Sequence, residues 1–112
     1  MQNFHDNKLW QDSFVVLMDI HDVTDEVDAT GNEEIIKELL EAAQHVSAKI
    51  ADGLSRLDKR LGRDLVMNAV GLVAITRTQL AVAWGRGLLD DETFKTLDTK
   101  YANLTNALQQ VR

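Results

Sequence analysis

The near absence of residues that interrupt a helix is the feature that most constrains the fold of this chain. Its 112 residues include no proline and only six glycines, and these two residue types break helices most effectively. Apolar residues make up 45% of the chain, which rules out a disordered polymer and suffices for one buried core. We therefore predict a single all-α domain over residues 1–112.

Apolar side chains recur at spacings of three and four in four segments, which is the period of one face of an amphipathic helix. The first segment carries a stripe through Trp10, Phe14 and Leu17 and has an acidic outer face. The predicted helices are about 7–28, 33–53, 56–85 and 91–111. Four helices with short connections pack most simply as an antiparallel up-down-up-down four-helix bundle.

The helix boundaries follow from capping chemistry. Gly31 is a stop signal, and Asn32 is an N-cap for the second helix. The serine and aspartate of Ser55-Arg56-Leu57-Asp58 form a variant of the capping box, which begins the third helix. Gly85-Arg86-Gly87 ends that helix, and Asp90 or its neighbour caps the fourth.

The third predicted helix is apolar on two sides. One stripe, assigned to the core, runs through Leu61, Leu65, Ala69, Leu72, Thr76, Leu80 and Ala83. A surface helix should bury only one face. The apolar residues on the opposite side therefore predict that this helix is either the central helix of its bundle or in contact with another subunit, and we favour the subunit contact. The predicted oligomer interface consists of Met67, Val70, Ala74, Arg77 and Ala81.

Charge is divided unevenly along the chain, whose formal net charge is −6. Residues 1–52 hold twelve acidic and three basic residues, whereas residues 53–112 hold six acidic and nine basic ones. Unlike patches that join head to tail generate a ring when the rotation closes, so the division favours a ring-like homo-oligomer. The predicted basic patch is Arg56, Lys59, Arg60 and Arg63, and the predicted acidic partner patch is Glu38, Glu41, His45 and Asp52. The basic patch is also a candidate site for binding the phosphate backbone of a nucleic acid, although the net acidic charge of the chain argues against nucleic-acid binding.

Candidate catalytic and metal-binding groups are sparse. The chain has no cysteine, and no histidine follows a glutamate by three residues, the spacing of di-iron bundles. Glu41 and His45 have the i, i+4 spacing that can chelate one ion, but a solvated helix face explains them better. His21 lies on the inner edge of the first helix without an identifiable nucleophile. We therefore predict no catalytic residue, no metal and no cofactor.

Membrane spanning is not expected from the sequence. The longest uncharged run, Leu65 to Thr76, falls short of the roughly 18 residues that cross a bilayer, and the first residues resemble no leader peptide. A chain without cysteine needs no oxidising compartment. These features predict a cytoplasmic protein without a membrane partner.

Short motifs along nearly the whole chain follow one family pattern. The most specific is the Ile-Ala-acid-Gly run that closes the second helix, and the alanine-glycine step of the third helix is next. The motifs are Lys8-Leu9-Trp10-Gln11, Ala42-Ala43, Ile50-Ala51-Asp52-Gly53, Arg56, Ala69-Val70-Gly71 and Gly87-Leu88-Leu89-Asp90. Together they resemble the four-helix bundle proteins named after the 23S ribosomal RNA intervening sequence.

This resemblance implies a bacterial cytosolic bundle that assembles as a homopentamer and has no established catalytic activity. A relative, the accessory protein of diversity-generating retroelements, is a basic pentamer that engages a reverse transcriptase and nucleic acid. The present sequence departs from that relative, because the family's basic pair in helix two is here Leu40-Glu41, and a polar serine and glutamate of helix three are Leu72 and Ile75. These changes disfavour RNA binding and favour a third helix that faces protein.

The sequence thus predicts a non-catalytic oligomeric scaffold or adaptor, with a pentamer favoured and an unidentified protein as a further partner. The alternative is an accessory nucleic-acid-associated protein. It would bind RNA, single-stranded DNA or a reverse-transcriptase-like partner through the basic patch at 56–63.

Overall fold

Four α-helices account for most of the chain in the computed structural model, which describes residues 3–111. A single 3₁₀ turn, Phe4–Asp6, precedes them, and no strand occurs within the described range. The helices are α1 Lys8–Asp25, α2 Glu33–Leu54, α3 Lys59–Gly85 and α4 Asp91–Leu108. The prediction of an all-α chain with four helices is confirmed.

Successive helices pack side by side, and α4 closes the bundle against α1. The Oγ atoms of Ser13 and Ser47 are 3.0 Å apart between the start of α1 and the end of α2, as an antiparallel pair requires. Lys100 on α4 binds Asp19 on α1, with Nζ 2.5 Å from Oδ2. The result is a rod of 45 × 20 × 19 Å. The α2–α3 connection lies at one end, and the α1–α2 and α3–α4 connections lie at the other.

The closest helix contact is the crossing of α2 and α3, where two glycines face each other. A Cβ atom built on Gly53 would lie 2.6 Å from the carbonyl oxygen of Gly62, and one on Gly62 would lie 2.5 Å from the carbonyl oxygen of Gly53. Neither contact is sterically possible, so only glycine permits this approach. The crossing therefore explains why two glycines interrupt otherwise strongly helical sequence.

The predicted helix limits are corrected at three positions. The first helix ends at Asp25 rather than near 28, and the fourth ends at Leu108 rather than near 111. The third begins at Lys59, because Asp58 caps it by accepting hydrogen bonds from the Arg60 and Leu61 amides. The predicted start near residue 56, with Ser55 as its cap, is wrong, because the Ser55 amide donates to the Ala51 carbonyl and Ser55 is the C-cap of α2.

The predicted cap of α4 and the predicted end of α3 are confirmed. The N-cap position of α2 is also as predicted, but its side chain forms a different hydrogen bond. Asp90 caps α4 by accepting a hydrogen bond of 2.7 Å from the Thr93 amide. Gly87, at φ +79°, ends α3 in a Schellman motif in which the Leu88 amide donates to Ala83. Asn32 occupies the N-cap position of α2, but its side chain makes no capping bond. Its Oδ1 accepts instead from Arg86, which ties the two connections at this end together.

The core face of α3 differs from the prediction. Its buried residues follow a strict alternation of four and three: Gly62, Val66, Ala69, Val73, Thr76, Leu80 and Ala83. Leu61 was assigned to the core but is 44% exposed, and Leu65 and Leu72 are only half-buried. The reason is the glycine crossing, which turns the small residues of α3 toward α2 and moves these leucines to the flank.

Tyr101 is the one described residue whose side-chain polar atom is buried without a hydrogen-bond partner. The residue is fully buried on α4, and its hydroxyl has no protein acceptor or donor within reach. Burial raises the pKa of the Tyr101 phenol well above its ordinary value, and the Asp19 carboxylate raises it further. The buried hydroxyl therefore opposes folding, while the ring contributes to the core.

Replacing Tyr101 with phenylalanine is expected to stabilise the bundle by about 1 kcal/mol, because the ring stays and the unpaired hydroxyl is removed. Tyrosine in an unfolded chain ionises near pH 10, whereas folded Tyr101 stays protonated. Wild-type stability should therefore fall as the pH rises above about 10, and the gain from the substitution should increase there. Urea unfolding at neutral and alkaline pH measures both effects. If the phenylalanine variant were instead less stable than the wild type at neutral pH, the Tyr101 hydroxyl could not be unpaired in the folded protein.

Candidate interaction surfaces

One flank of α3, on the side toward α2, exposes a row of mostly apolar side chains. Ile75 is 52% exposed, Leu61 44% and Val82 39%. Spacings of three and four relate these positions, with Asn68 and Gln79 in the same row. We call the apolar members the outer stripe: Leu61, Leu65, Leu72, Ile75 and Val82. This spacing is the pattern with which helices pack against each other.

Acidic residues of α2 border the outer stripe. Glu38, Glu41 and His45 line a groove whose other wall contains Leu72 and Ile75. All three polar residues are exposed, so three of the four members of the predicted acidic patch lie together. The groove combines an apolar floor with an acidic rim.

Asp52, the fourth member of the acidic patch, is bound within its own chain. Its Oδ1 lies 2.8 Å from a guanidinium nitrogen of Arg56, a member of the basic patch. The two side chains are one turn apart, and each is more than 40% exposed. An exposed pair of this kind contributes little to stability, but it leaves Arg56 and Asp52 less available to another subunit than the sequence suggested.

The predicted oligomer interface lies on the opposite flank of α3, beside α4. Met67 is 39% exposed, and Ala74 is exposed, whereas Ala81 is half-buried. Val70 packs partly against the hydrophobic core. Arg77 forms two hydrogen bonds, of 2.7 and 2.9 Å, with Asp98 of α4. These bonds raise the pKa of Arg77 above its ordinary value, so the guanidinium stays charged.

The aromatic residues divide between core and surface. Tyr101 lies in the core, but Trp84 is 43% exposed. The Trp84 ring stacks on Phe94 at 4.7 Å, and its indole nitrogen donates to Asp91. Phe14 was assigned to the apolar stripe of α1, yet it is 41% exposed and stacks on Trp10. Phe14 therefore adds apolar surface on α1, and Trp84 adds apolar surface at the end of α3.

The basic patch lies at the end of the rod formed by the α2–α3 connection. Lys59, Arg60 and Arg63 are exposed on the first turns of α3, and Arg56 precedes the helix instead of sharing its face. None of the four ion pairs found among residues 3–111 involves Lys59, Arg60 or Arg63. Leu57 lies among these cations and is 89% exposed. The sequence prediction missed this leucine because its apolar side chain was read only as part of a capping segment.

No group of three or more histidine, aspartate or glutamate side chains within residues 3–111 is arranged to hold a metal ion. Glu41 and His45 therefore lack a third ligand in the described part of the chain. His21 is half-buried. A groove between α1 and α4 has a volume of about 380 Å³ and is lined by Asp19, Asp22 and Glu92 but not by His21.

The apolar surface of α3 also bears on membranes. By length and composition alone this helix is able to cross a bilayer, and only 28% of its most apolar stretch is buried inside the bundle. The core helix of a bundle passes the same test. Arg77 lies within α3, and a charged side chain is costly in the interior of a bilayer.

Comparison with known proteins gives one match. A family model described as "23S rRNA-intervening sequence protein" matches residues 5–110. No curated protein and no solved structure matches the chain. The family assignment therefore rests on nearly the full length of the sequence.

Proposed function

The chain belongs to the 23S rRNA-intervening sequence protein family, and from this premise we propose that it is a homo-oligomeric scaffold or adaptor without catalytic activity. The proposed assembly is a ring, with five subunits favoured. The proposed place of action is the cytoplasm. The observation that carries the proposal is the incomplete burial of α3, whose most apolar stretch is only 28% buried inside the bundle.

The outer stripe supports subunit contact through its area and its pattern. Ile75, Leu61 and Val82 together expose a long apolar row on a chain that carries charge elsewhere. Exposed apolar patches of this kind mark interaction sites in soluble proteins. The spacing of the row fits a helix of a neighbouring subunit, and burying it would remove unfavourable apolar hydration.

The two flanks of α3 support a head-to-tail contact. In a cyclic ring each subunit uses two different surfaces, one for each neighbour. The outer stripe faces one side, and Met67 with Ala74 faces the other. The acidic rim at Glu38 and Glu41 beside the outer stripe adds charge that can orient the neighbour. This arrangement explains why a helix in so small a bundle is apolar on two sides.

The native mass of the purified protein at low and at moderate salt tests the proposal. A mass of about five chains at both salt concentrations is expected, because the contact is mainly apolar and salt screens only its charged rim. Native mass spectrometry or light scattering provides the measurement. A mass of one chain at both salt concentrations would contradict the proposal.

Nucleic-acid binding is the second candidate function, and the exposed cations favour it. Lys59, Arg60 and Arg63 lie at the start of α3 without intrachain partners among the described residues. They could contact phosphates in RNA or single-stranded DNA. The predicted signature is binding that weakens steeply with salt and is lost in the double variant Arg60→Glu/Arg63→Glu. The absence of a mobility shift at low salt would eliminate this candidate.

A further inference from the structure

The two ends of the rod differ in charge. The end with the α1–α2 and α3–α4 connections carries nine carboxylates, within residues 22–34 and 86–92, against Arg86 alone. The opposite end contains residues 3–12, 52–64 and 105–111 and is close to neutral, with five cations and five carboxylates. Within it, the turn of residues 55–63 carries four cations against one carboxylate, Asp58, which accepts hydrogen bonds from two amides of α3. One of the four cations, Arg56, is paired with Asp52. The bundle is therefore an electric dipole along its long axis, although the whole chain is acidic.

Leu57 lies in the α2–α3 turn. Its 89% exposure is the highest of the large apolar side chains described. Leu61, one turn into α3, is 44% exposed and points away from the core. The cations Arg56, Lys59 and Arg60 flank Leu57 in sequence. This turn thus presents an exposed leucine in a sequence segment with more cations than carboxylates.

We propose that this turn, residues 55–63, docks the bundle end-on to an anionic lipid surface. Lysine and arginine near an anionic membrane are each attracted to its surface potential, and a leucine that enters the interface gains the free energy of apolar burial. The acidic end then points away from the membrane, which fixes the orientation. Such docking needs no membrane-spanning segment, so it is compatible with the absence of a long uncharged run.

The leucine favours a lipid surface over nucleic acid. Phosphate backbones are bound by cations and hydrogen-bond donors, and an aliphatic side chain at the tip contributes neither. A lipid interface accepts both the charge and the apolar group. The inference does not rest on the proposed oligomer, because each bundle carries its own complete turn.

Sedimentation with lipid vesicles tests the proposal. Wild-type protein at low salt is expected to bind vesicles of phosphatidylcholine mixed with phosphatidylserine and not vesicles of phosphatidylcholine alone. Leu57→Ser should weaken the binding about tenfold, because it removes the apolar contribution. Arg60→Glu/Arg63→Glu should abolish the binding, since it reverses the charge of the turn. All these positions are exposed, and circular dichroism checks that the helices remain.

Two matched controls use exposed residues elsewhere. Val15 is 54% exposed on α1, so Val15→Ser removes comparable apolar surface from the side of the rod. Lys37→Glu/Lys95→Glu reverses the same charge outside the turn. Both variants should bind vesicles as the wild type does. Unchanged binding by Leu57→Ser, or equal losses in Val15→Ser, would overturn the proposal, as would a complete lack of binding by the wild type. Native mass, measured on the same samples, reports separately on the oligomer.

Discussion

Replacing Gly62 with alanine should destabilise the bundle by about 2–3 kcal/mol, the upper part of the range for overpacked sites. The added Cβ would lie 2.5 Å from the carbonyl oxygen of Gly53. That atom belongs to the backbone of α2, so no side-chain rotation can relieve the clash. The two helices would have to separate along the contact that contains Val66, Ala69 and Val46, and the core would loosen with them.

Gly71 provides the matched control on the same helix. It is exposed, and a Cβ atom built there meets nothing within 4 Å. Alanine has the higher helix propensity, so Gly71→Ala should stabilise the protein by about 0.5–1 kcal/mol. Thermal or urea unfolding of both variants measures the two effects. Replacing glycine with alanine is thus expected to lower the stability at position 62 and to raise it at position 71, 9 positions further along the same helix. Similar changes in both variants would show that the α2–α3 crossing is not as close as described.

This contrast also marks the limit of what the sequence predicts about the fold. Helix number, order and most boundaries follow from periodicity, capping residues and the absence of proline, all of which act locally. The orientation of α3 about its axis does not, because it depends on a contact between two glycines that forms only when α2 and α3 pack together. Small residues of α3 then face the core, and large apolar residues such as Leu61 lie on the flank. The predicted core was therefore wrong where close packing, rather than hydrophobicity, decides which side faces inward.

The candidate surfaces also combine features that follow from the sequence with features that depend on how the helices pack. The exposed positions of Glu38, Glu41 and His45 follow from their helical spacing opposite the apolar face, which the sequence contains. Two pairings do not follow from it. Arg77 meets Asp98 only because α3 and α4 lie side by side, and the pairing of Arg56 with Asp52 depends on how α2 ends. Leu57 was missed for a related reason, since the exposure of a turn residue depends on where the chain reverses.

Ala74→Asp and Ile75→Asp should each reduce the native mass to that of one chain while the helices remain formed. Both residues are exposed in the isolated bundle, so a carboxylate at either position stays hydrated unless a neighbour covers it. Burial in a subunit contact would remove that hydration at a cost of several kcal/mol. Val70→Asp is predicted to dissociate the oligomer as well, but Val70 packs partly on the core, so its effect would combine dissociation with loss of stability.

The adjacent positions 74 and 75 point about 100° apart on the helix, toward the two flanks of α3, and this geometry makes the pair informative. In a ring the outer stripe of one subunit meets the Met67 and Ala74 flank of the next, so either substitution alone breaks every contact. An isologous dimer would pair one flank with itself, and only one substitution would then dissociate it. Thr99→Asp, on the exposed face of α4, supplies the control for added charge. Light scattering of the three variants, with circular dichroism to confirm the helices, therefore distinguishes a ring from a dimer, and unchanged mass in both α3 variants would exclude α3 as the subunit contact.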